Sequence, residues 1–140
     1  MGFAQWLEAT KNSNGYVTDI EDDTIKNTNY RKVLYTSKYS QLVLMSLKPK
    51  EEIGFEVHGV DQFFRVEEGE GEVILNKEKY PIKGGSAIVV PAGTRHNIVN
   101  TGTKPLKLYT IYSPPHHKDG TVVKTKTAEK PEEYDGKTSF

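Results

Sequence analysis

The segment QFFRVEEGEG, residues 62–71, decides the fold. Gln62, Phe64 and Val66 occupy one face of an extended chain, whereas Arg65 and Glu67 occupy the other, because side chains alternate with a period of two along a strand. The glycines that follow supply a residue type that tolerates the positive φ of a tight turn. The segment therefore predicts a β-strand whose even positions face a core, and Gln62 is a polar group directed into that core.

The same pattern of short runs and turns continues on both sides of this segment. From about Tyr30 onward, β-branched and aromatic runs are separated by clusters of Gly, Pro, Asn and Lys, which is typical of an all-β barrel or sandwich. We predict strands over residues 31–36, 41–47, 53–58, 62–66, 70–75, 79–82, 86–90, 96–100 and 106–112. This spacing leaves no room for long helices.

The two ends of the chain differ from this β-rich region. With 140 residues, the chain fits a single domain. We expect an N-terminal arm over residues 1–29, a β-barrel over 30–115 and an extended C-terminal segment over 116–140. In the arm, Phe3, Trp6 and Leu7 have roughly helical spacing and offer an apolar surface to the barrel or to a second subunit. The C-terminal segment is rich in Lys, Thr, Glu and Pro, which favours an extended tail.

Composition narrows the classes of partner. The 19 basic residues balance the 19 acidic residues, which argues against binding to nucleic acid or to an anionic membrane surface. Cysteine is absent, so only nitrogen and oxygen ligands can hold a metal. The first fourteen residues lack the pattern of a secretory signal, and the sequence has no apolar run of membrane-spanning length. We therefore expect a cytoplasmic protein that binds a small molecule.

Four polar residues form a candidate metal site. Glu56 and His58 are two positions apart, so in a strand both face the same side. Gln62 faces inward, and His96 shares its face with the apolar Ile98. A carboxylate, an amide oxygen and two imidazoles suit a divalent transition metal such as Zn, Ni, Fe or Mn.

Simpler interpretations exist for each of these residues. An inward histidine is more often a hydrogen-bonded core residue than a ligand. Gln62 could donate a hydrogen bond to a ligand instead of binding the metal itself. Glu56 is harder to explain without a cation, because a buried unpaired carboxylate is unfavourable by several kcal/mol.

Further residues are candidates for the wall of a ligand pocket. Phe64 is the expected aromatic wall, and Tyr112 is expected to face the cavity from the last strand. The adjacent His116 and His117 follow two prolines and could fold over the barrel mouth as an acid, a base or an additional ligand. Of these two we assign His117 to the pocket, against the alternative of a solvated loop.

At this point the chain resembles the cupin superfamily, in particular the small mannose-6-phosphate-isomerase-like cupins. The resemblance rests on residues 54–71 and 85–100, where His58, Gly71 and the late His96 after Pro-Ala-Gly match the family pattern. Glu56 stands where a histidine is usual, and Gln62 stands where a glutamate is usual. The resemblance implies a double-stranded β-helix, or jelly-roll barrel, with a metal inside.

The resemblance also implies a range of functions. If the protein is an enzyme, sugar or sugar-phosphate isomerisation and oxygen-dependent oxidation are the reactions implied. A sensor or storage module without turnover, or a scaffold without metal, remains an alternative, because a fold does not define a function. We also expect a homodimer, since small jelly rolls expose sheet edges.

Overall fold

The computed structural model describes residues 13–140, so Phe3, Trp6 and Leu7 of the predicted arm lie outside the described residues. A short helix, α1 (Ile20–Lys26), precedes the strands. The strands are β1 (Arg31–Thr36), β2 (Gln41–Leu47), β3 (Asp61–Glu68), β4 (Glu70–Leu75), β5 (Glu78–Lys83), β6 (Ala87–Val90), β7 (His96–Val99), β8 (Leu106–Ser113) and β9 (Val122–Val123). A single 3-10 turn (Lys126–Ala128) follows β9.

The strands form two antiparallel sheets. One sheet has the order β6-β3-β8-β2-β1-β9, and the other has the order β5-β4-β7. Neighbours that are distant in sequence, such as β2 with β8 and β4 with β7, show the long crossovers of a jelly roll. The predicted all-β jelly-roll barrel is therefore confirmed.

The core lies between the sheets. Phe64 and Val66 contribute to it from the larger sheet, and Val73 and Ile98 contribute from the smaller one. The burial of β3 alternates as predicted, with Gln62, Phe64 and Val66 inward. One end of this core carries polar side chains, and the candidate site lies there.

Two glycines allow β3, β4 and the loop before β8 to approach closely. Gly69 has a φ of 97°, and a Cβ at this position would lie 2.7 Å from the carbonyl oxygen of Pro105. At Gly71 a Cβ would lie 2.5 Å from the carbonyl oxygen of Val99. A larger residue at either position would push the main chain apart, which explains the glycines at this turn.

The predicted strand over residues 53–58 is wrong. Gly54 adopts a φ of 101°, a left-handed conformation that interrupts an extended strand. The segment instead makes isolated bridges, Glu52 with Val99 and Glu56 with His96. Phe55 and Val57 of this segment are 44% and 60% exposed.

The C-terminal segment is packed against the barrel instead of being solvated. β9 pairs with β1, and the Lys126 ammonium donates to the carbonyl oxygen of Ile53 at 2.7 Å. Near the end of the chain, the Ser139 amide donates to the carbonyl oxygen of Thr36 at 2.9 Å. The segment therefore covers one end of the barrel.

The helix α1 was not predicted. Its N-terminus is capped by the side chain of Asp19, which accepts a hydrogen bond from the Asp22 amide at 3.2 Å. With seven residues, α1 is far too short to cross a membrane, and no other helix in residues 13–140 has the required length and apolarity.

Candidate metal centre

Glu56 and His96 are neighbours through their main chains. The Glu56 amide donates to the carbonyl oxygen of His96 at 2.9 Å, and the His96 amide donates to that of Glu56 at 3.0 Å. The Gly93 amide donates to the carbonyl oxygen of His58 at 2.9 Å. The loop before β3 is thus held to the start of β7, although it is not a regular strand.

Three potential ligands converge at this junction. One ligand atom from each of Glu56, His58 and His96 lies within 4.8 Å of the other two. The Nε2 atom of His58 lies 2.5 Å from a carboxylate oxygen of Glu56. The two atoms are close enough to pair with each other or to contact the same ion.

A hydrogen bond to the main chain fixes the orientation of the His96 ring. Its Nδ1 atom lies 2.9 Å from the carbonyl oxygen of Thr94, which can only accept a hydrogen bond. Nδ1 therefore carries the proton, and the lone pair of Nε2 remains available. A main-chain carbonyl that orients an imidazole in this way is a common support for a metal-binding histidine.

Gln62 is buried, and only one of the two polar atoms of its side chain has a hydrogen-bond partner among the described residues. Its Nε2 atom donates to the hydroxyl of Thr110 at 3.0 Å. Its Oε1 atom is buried and has no hydrogen-bond partner within residues 13–140. Such an orphaned acceptor is unfavourable by about 1–3 kcal/mol, and a cation would satisfy it.

The electrostatics of the site favour an ionised Glu56 carboxylate beside a neutral His96 imidazole. Burial raises the pKa of Glu56, but the His58 imidazole, Arg31 and His96 together outweigh burial and hold this pKa below its ordinary value. Burial lowers the pKa of His96. These are the protonation states that a metal requires of its ligands.

All four histidines of the chain belong to one cluster. The His116 ring centroid lies 4.3 Å from that of His58 and 4.9 Å from that of His117. The Tyr112 ring packs against His116 and His117, with centroid distances of 5.2 and 5.1 Å. His117 is 6% exposed, so the solvated-loop alternative does not describe it.

His117 is held in a hydrogen-bonded chain. Its Nδ1 atom lies 2.6 Å from the Glu132 carboxylate, and its Nε2 atom lies 3.1 Å from the Tyr112 hydroxyl. Burial lowers the pKa of His117 well below its ordinary value. A neutral ring that donates through Nδ1 and accepts through Nε2 satisfies both contacts.

Gln41 fixes the loop that carries these two histidines, a role for which there is no local sequence signal. Its Oε1 atom accepts from the amides of His116 and His117 at 3.2 and 2.9 Å. Its Nε2 atom donates to the carbonyl oxygen of His117 at 2.7 Å and to the hydroxyl of Thr36 at 2.9 Å. A single buried amide thus replaces the regular pairing that the loop lacks.

A cavity of about 300 Å³ opens from this cluster. It is lined by Glu56, His58, His116 and His117, together with Arg31, Glu129, Lys130, Pro131 and Glu132. The last five were not among the sequence-predicted site residues. Phe64 lies deeper, with its ring centroid 6.4 Å from that of His96.

Fold and site together define a small jelly-roll barrel whose interior carries a cluster of histidine and glutamate side chains able to hold a metal ion. The family model of the cupin domain matches residues 43–112. The chain belongs to the cupin family, as the sequence resemblance implied.

Three relatives illustrate this membership. The chain is 49% identical to the uncharacterized protein YrkC of Bacillus subtilis over 79% of its own length and 63% of that protein. It is 48% identical to an uncharacterized protein of Acanthamoeba polyphaga mimivirus over 76% of its length and 70% of that protein. The crystal structure of BH2720 from Bacillus halodurans, 43% identical, superimposes with a TM-score of 0.82 over 85% of this chain and 96% of that one.

Proposed function

We propose that the protein binds one divalent transition metal ion through Glu56, His58 and His96, with Gln62 as a fourth ligand. The observation that carries this proposal is the convergence of the first three side chains within 4.8 Å. The buried, unpartnered oxygen of Gln62 supports the fourth assignment. One carboxylate, one amide and two imidazoles are a donor set for Zn, Ni, Fe or Mn.

We further propose that a small polar molecule binds in the adjoining cavity. A metal ion with an open coordination position polarises a carbonyl or hydroxyl oxygen. The cavity, about 300 Å³, admits a molecule of a few carbon atoms beside Glu56 and His58. Phe64 and Tyr112, which the sequence placed in the pocket wall, do not line this cavity but pack behind it, against His96 and against His116 and His117, respectively.

His116 favours a catalytic version of this function. Its ring lies against that of His58, and burial lowers the pKa of His116, so the ring is neutral at pH 7. A neutral imidazole at this place can accept a proton from a bound hydroxyl group. Sugar or sugar-phosphate isomerisation and oxygen-dependent oxidation remain the reactions that the resemblance to cupins implies for such a site.

The alternative is a binding module without turnover, which senses or stores a small molecule or the metal itself. The same ligands and cavity serve this role. The two functions differ in one measurement, namely whether a metal-loaded sample converts sugar phosphates or oxygen-dependent substrates. Conversion that disappears in His116→Ala, while metal content is unchanged, supports the enzyme.

Elemental analysis of purified protein, before and after incubation with Zn, Ni, Fe or Mn salts, tests the metal site. We expect about one equivalent of metal in the unmutated protein and a large loss in Glu56→Ala/His58→Ala. Glu78→Ala, an exposed carboxylate on β5, is the matched control and should leave the content unchanged. Less than about a tenth of an equivalent after reconstitution would contradict the proposal.

We also propose that the protein forms a homodimer in the cytoplasm. The outward face of β6 and β3 supports the dimer, because Val89 is 66% exposed and pairs in register with Phe63. A monomeric mass in light scattering at micromolar concentration would contradict it.

A further inference from the structure

Arg31 is a buried cation that the proposed metal site does not use. It lies on β1, is 4% exposed, and its Nη1 atom is 2.8 Å from a carboxylate oxygen of Glu129. Its Nε atom is buried without a hydrogen-bond partner in the described part of the chain. Burial of a guanidinium with incomplete hydrogen bonding is unfavourable, so the group requires an explanation.

The cavity connects Arg31 to the proposed metal ligands. Arg31 and Glu129 line it together with Glu56 and His58. A molecule inside it can therefore reach the guanidinium with one end and the metal-binding cluster with the other. The volume of about 300 Å³ restricts this molecule to a small one.

The charges of the cavity select an anion once metal is bound. Apart from its histidines, its lining includes two cations, Arg31 and Lys130, and three carboxylates, Glu56, Glu129 and Glu132. This leaves one net negative charge. A divalent ion at Glu56 changes the balance to one net positive charge, which favours a monoanionic ligand.

Glu129 already places a carboxylate on Arg31, and its own side chain is partly exposed to solvent. The residue follows the 3-10 turn, and its side chain is 28% exposed. Its second oxygen lies 3.1 Å from the ammonium of Lys126, a partly exposed partner. A competing carboxylate that takes the place of Glu129 keeps the buried guanidinium paired, so the exchange leaves no uncompensated buried charge on Arg31.

We propose that Arg31 binds the carboxylate of a short 2-hydroxy or 2-oxo acid, whose second oxygen faces the metal-binding cluster. This inference rests on the proposed function. Glu129 occupies the guanidinium in the ligand-free protein and moves aside when the acid enters. The planar guanidinium donates two parallel hydrogen bonds to a carboxylate. Arg31 is therefore the residue that selects this ligand class.

Calorimetric titration of zinc-loaded protein with lactate tests the inference, with zinc content measured on the same samples. We expect Arg31→Gln to weaken lactate binding by at least about tenfold, equivalent to about 1.4 kcal/mol, with unchanged zinc content. Glu129→Gln should strengthen it, because the internal competitor loses its charge. Lys124→Gln removes an exposed cation outside this cavity and is the matched control, with a change below about threefold.

Lactamide and inorganic phosphate complete the experiment. Lactamide has the size of lactate without its charge and should not bind, and phosphate should bind more weakly than lactate. If zinc-loaded protein does not bind lactate, or binds lactamide or phosphate equally well, this inference is overturned and the proposed metal site is unaffected. If Arg31→Gln does not fold, an unchanged lactate affinity in Glu129→Gln overturns it. Failure of zinc uptake overturns the proposed function, and this inference with it.

Discussion

Glu56 and His96 exchange two main-chain hydrogen bonds, at 2.9 and 3.0 Å, across an isolated antiparallel bridge. Two candidate ligands that are forty residues apart in sequence are therefore held together by their backbones. The side chains at this bridge can change without any loss of the hydrogen bonds that position them. Substitutions here should alter metal binding much more than folding.

Glu56→Gln should reduce metal affinity by at least about tenfold, because it removes the only anionic ligand and keeps the shape of the side chain. Competition with a chelator of known affinity measures this change. The unfolding midpoint of the metal-free protein should stay close to that of the unmutated protein. An unchanged affinity would show that the carboxylate does not bind the ion.

Gln62→Glu should increase metal affinity by about tenfold, since a carboxylate is a stronger ligand than an amide oxygen. Gln62→Leu should decrease it. The pair separates direct coordination from a supporting hydrogen bond, because only a direct ligand responds in opposite directions. The same chelator competition gives both values, and equal losses in the two variants would exclude direct coordination.

Gln41→Leu should destabilise the protein by about 2–4 kcal/mol, since it leaves the buried amides of His116 and His117 without an acceptor. The midpoint of urea unfolding, with circular dichroism as the signal, measures the loss. Tyr39→Ser, at a 71% exposed position on the preceding turn, is the control and should change stability by less than about 0.5 kcal/mol.

Phe64→Ala should destabilise the protein by about 3–5 kcal/mol, because it opens a cavity in the core. Val122, which is 50% exposed on β9, provides the comparison, and Val122→Ala should have little effect. Both are measured by urea unfolding of metal-free protein. A small loss at Phe64 would mean that the core there is loosely packed.

The stability of the metal-free protein should fall as the pH decreases from 7 to 5. Burial lowers the pKa of His117 in the folded state, so below about pH 6.5 the unfolded chain binds a proton that the folded chain does not. Each such histidine contributes up to about 1.4 kcal/mol per pH unit in this window. Urea unfolding at pH 7, 6 and 5 should show a shallower dependence in His117→Gln than in the unmutated protein.

The alternation in β3 predicted correctly which side chains enter the core, because a period of two along a strand is a local property of the sequence. The prediction of a strand over residues 53–58 was wrong at Gly54. The glycine itself was a local signal against a regular strand, but the apolar residues around it received more weight in the prediction. Helix α1 also had a local signal, the capping residue Asp19 followed by an acidic first turn.

Other features of the site had no local signal at all. Glu129 and Glu132 lie in the segment predicted to be an extended tail, and their partners Arg31 and His117 are 98 and 15 residues away in sequence. Arg31 shares the inward face of β1 with Val33, so it is an inward polar side chain, as Gln62 is on β3. Only the packing of the tail against the barrel reveals why that charge is tolerated.

Because His58, His96, His116 and His117 are the full complement of histidines and pack in one cluster, imidazole resonances in a proton NMR spectrum originate from this single location. Metal occupancy of the site, the tautomers of the histidines and ligand exchange can then be followed without imidazole signals from elsewhere in the molecule. The histidine signals therefore report directly on the interior of the barrel.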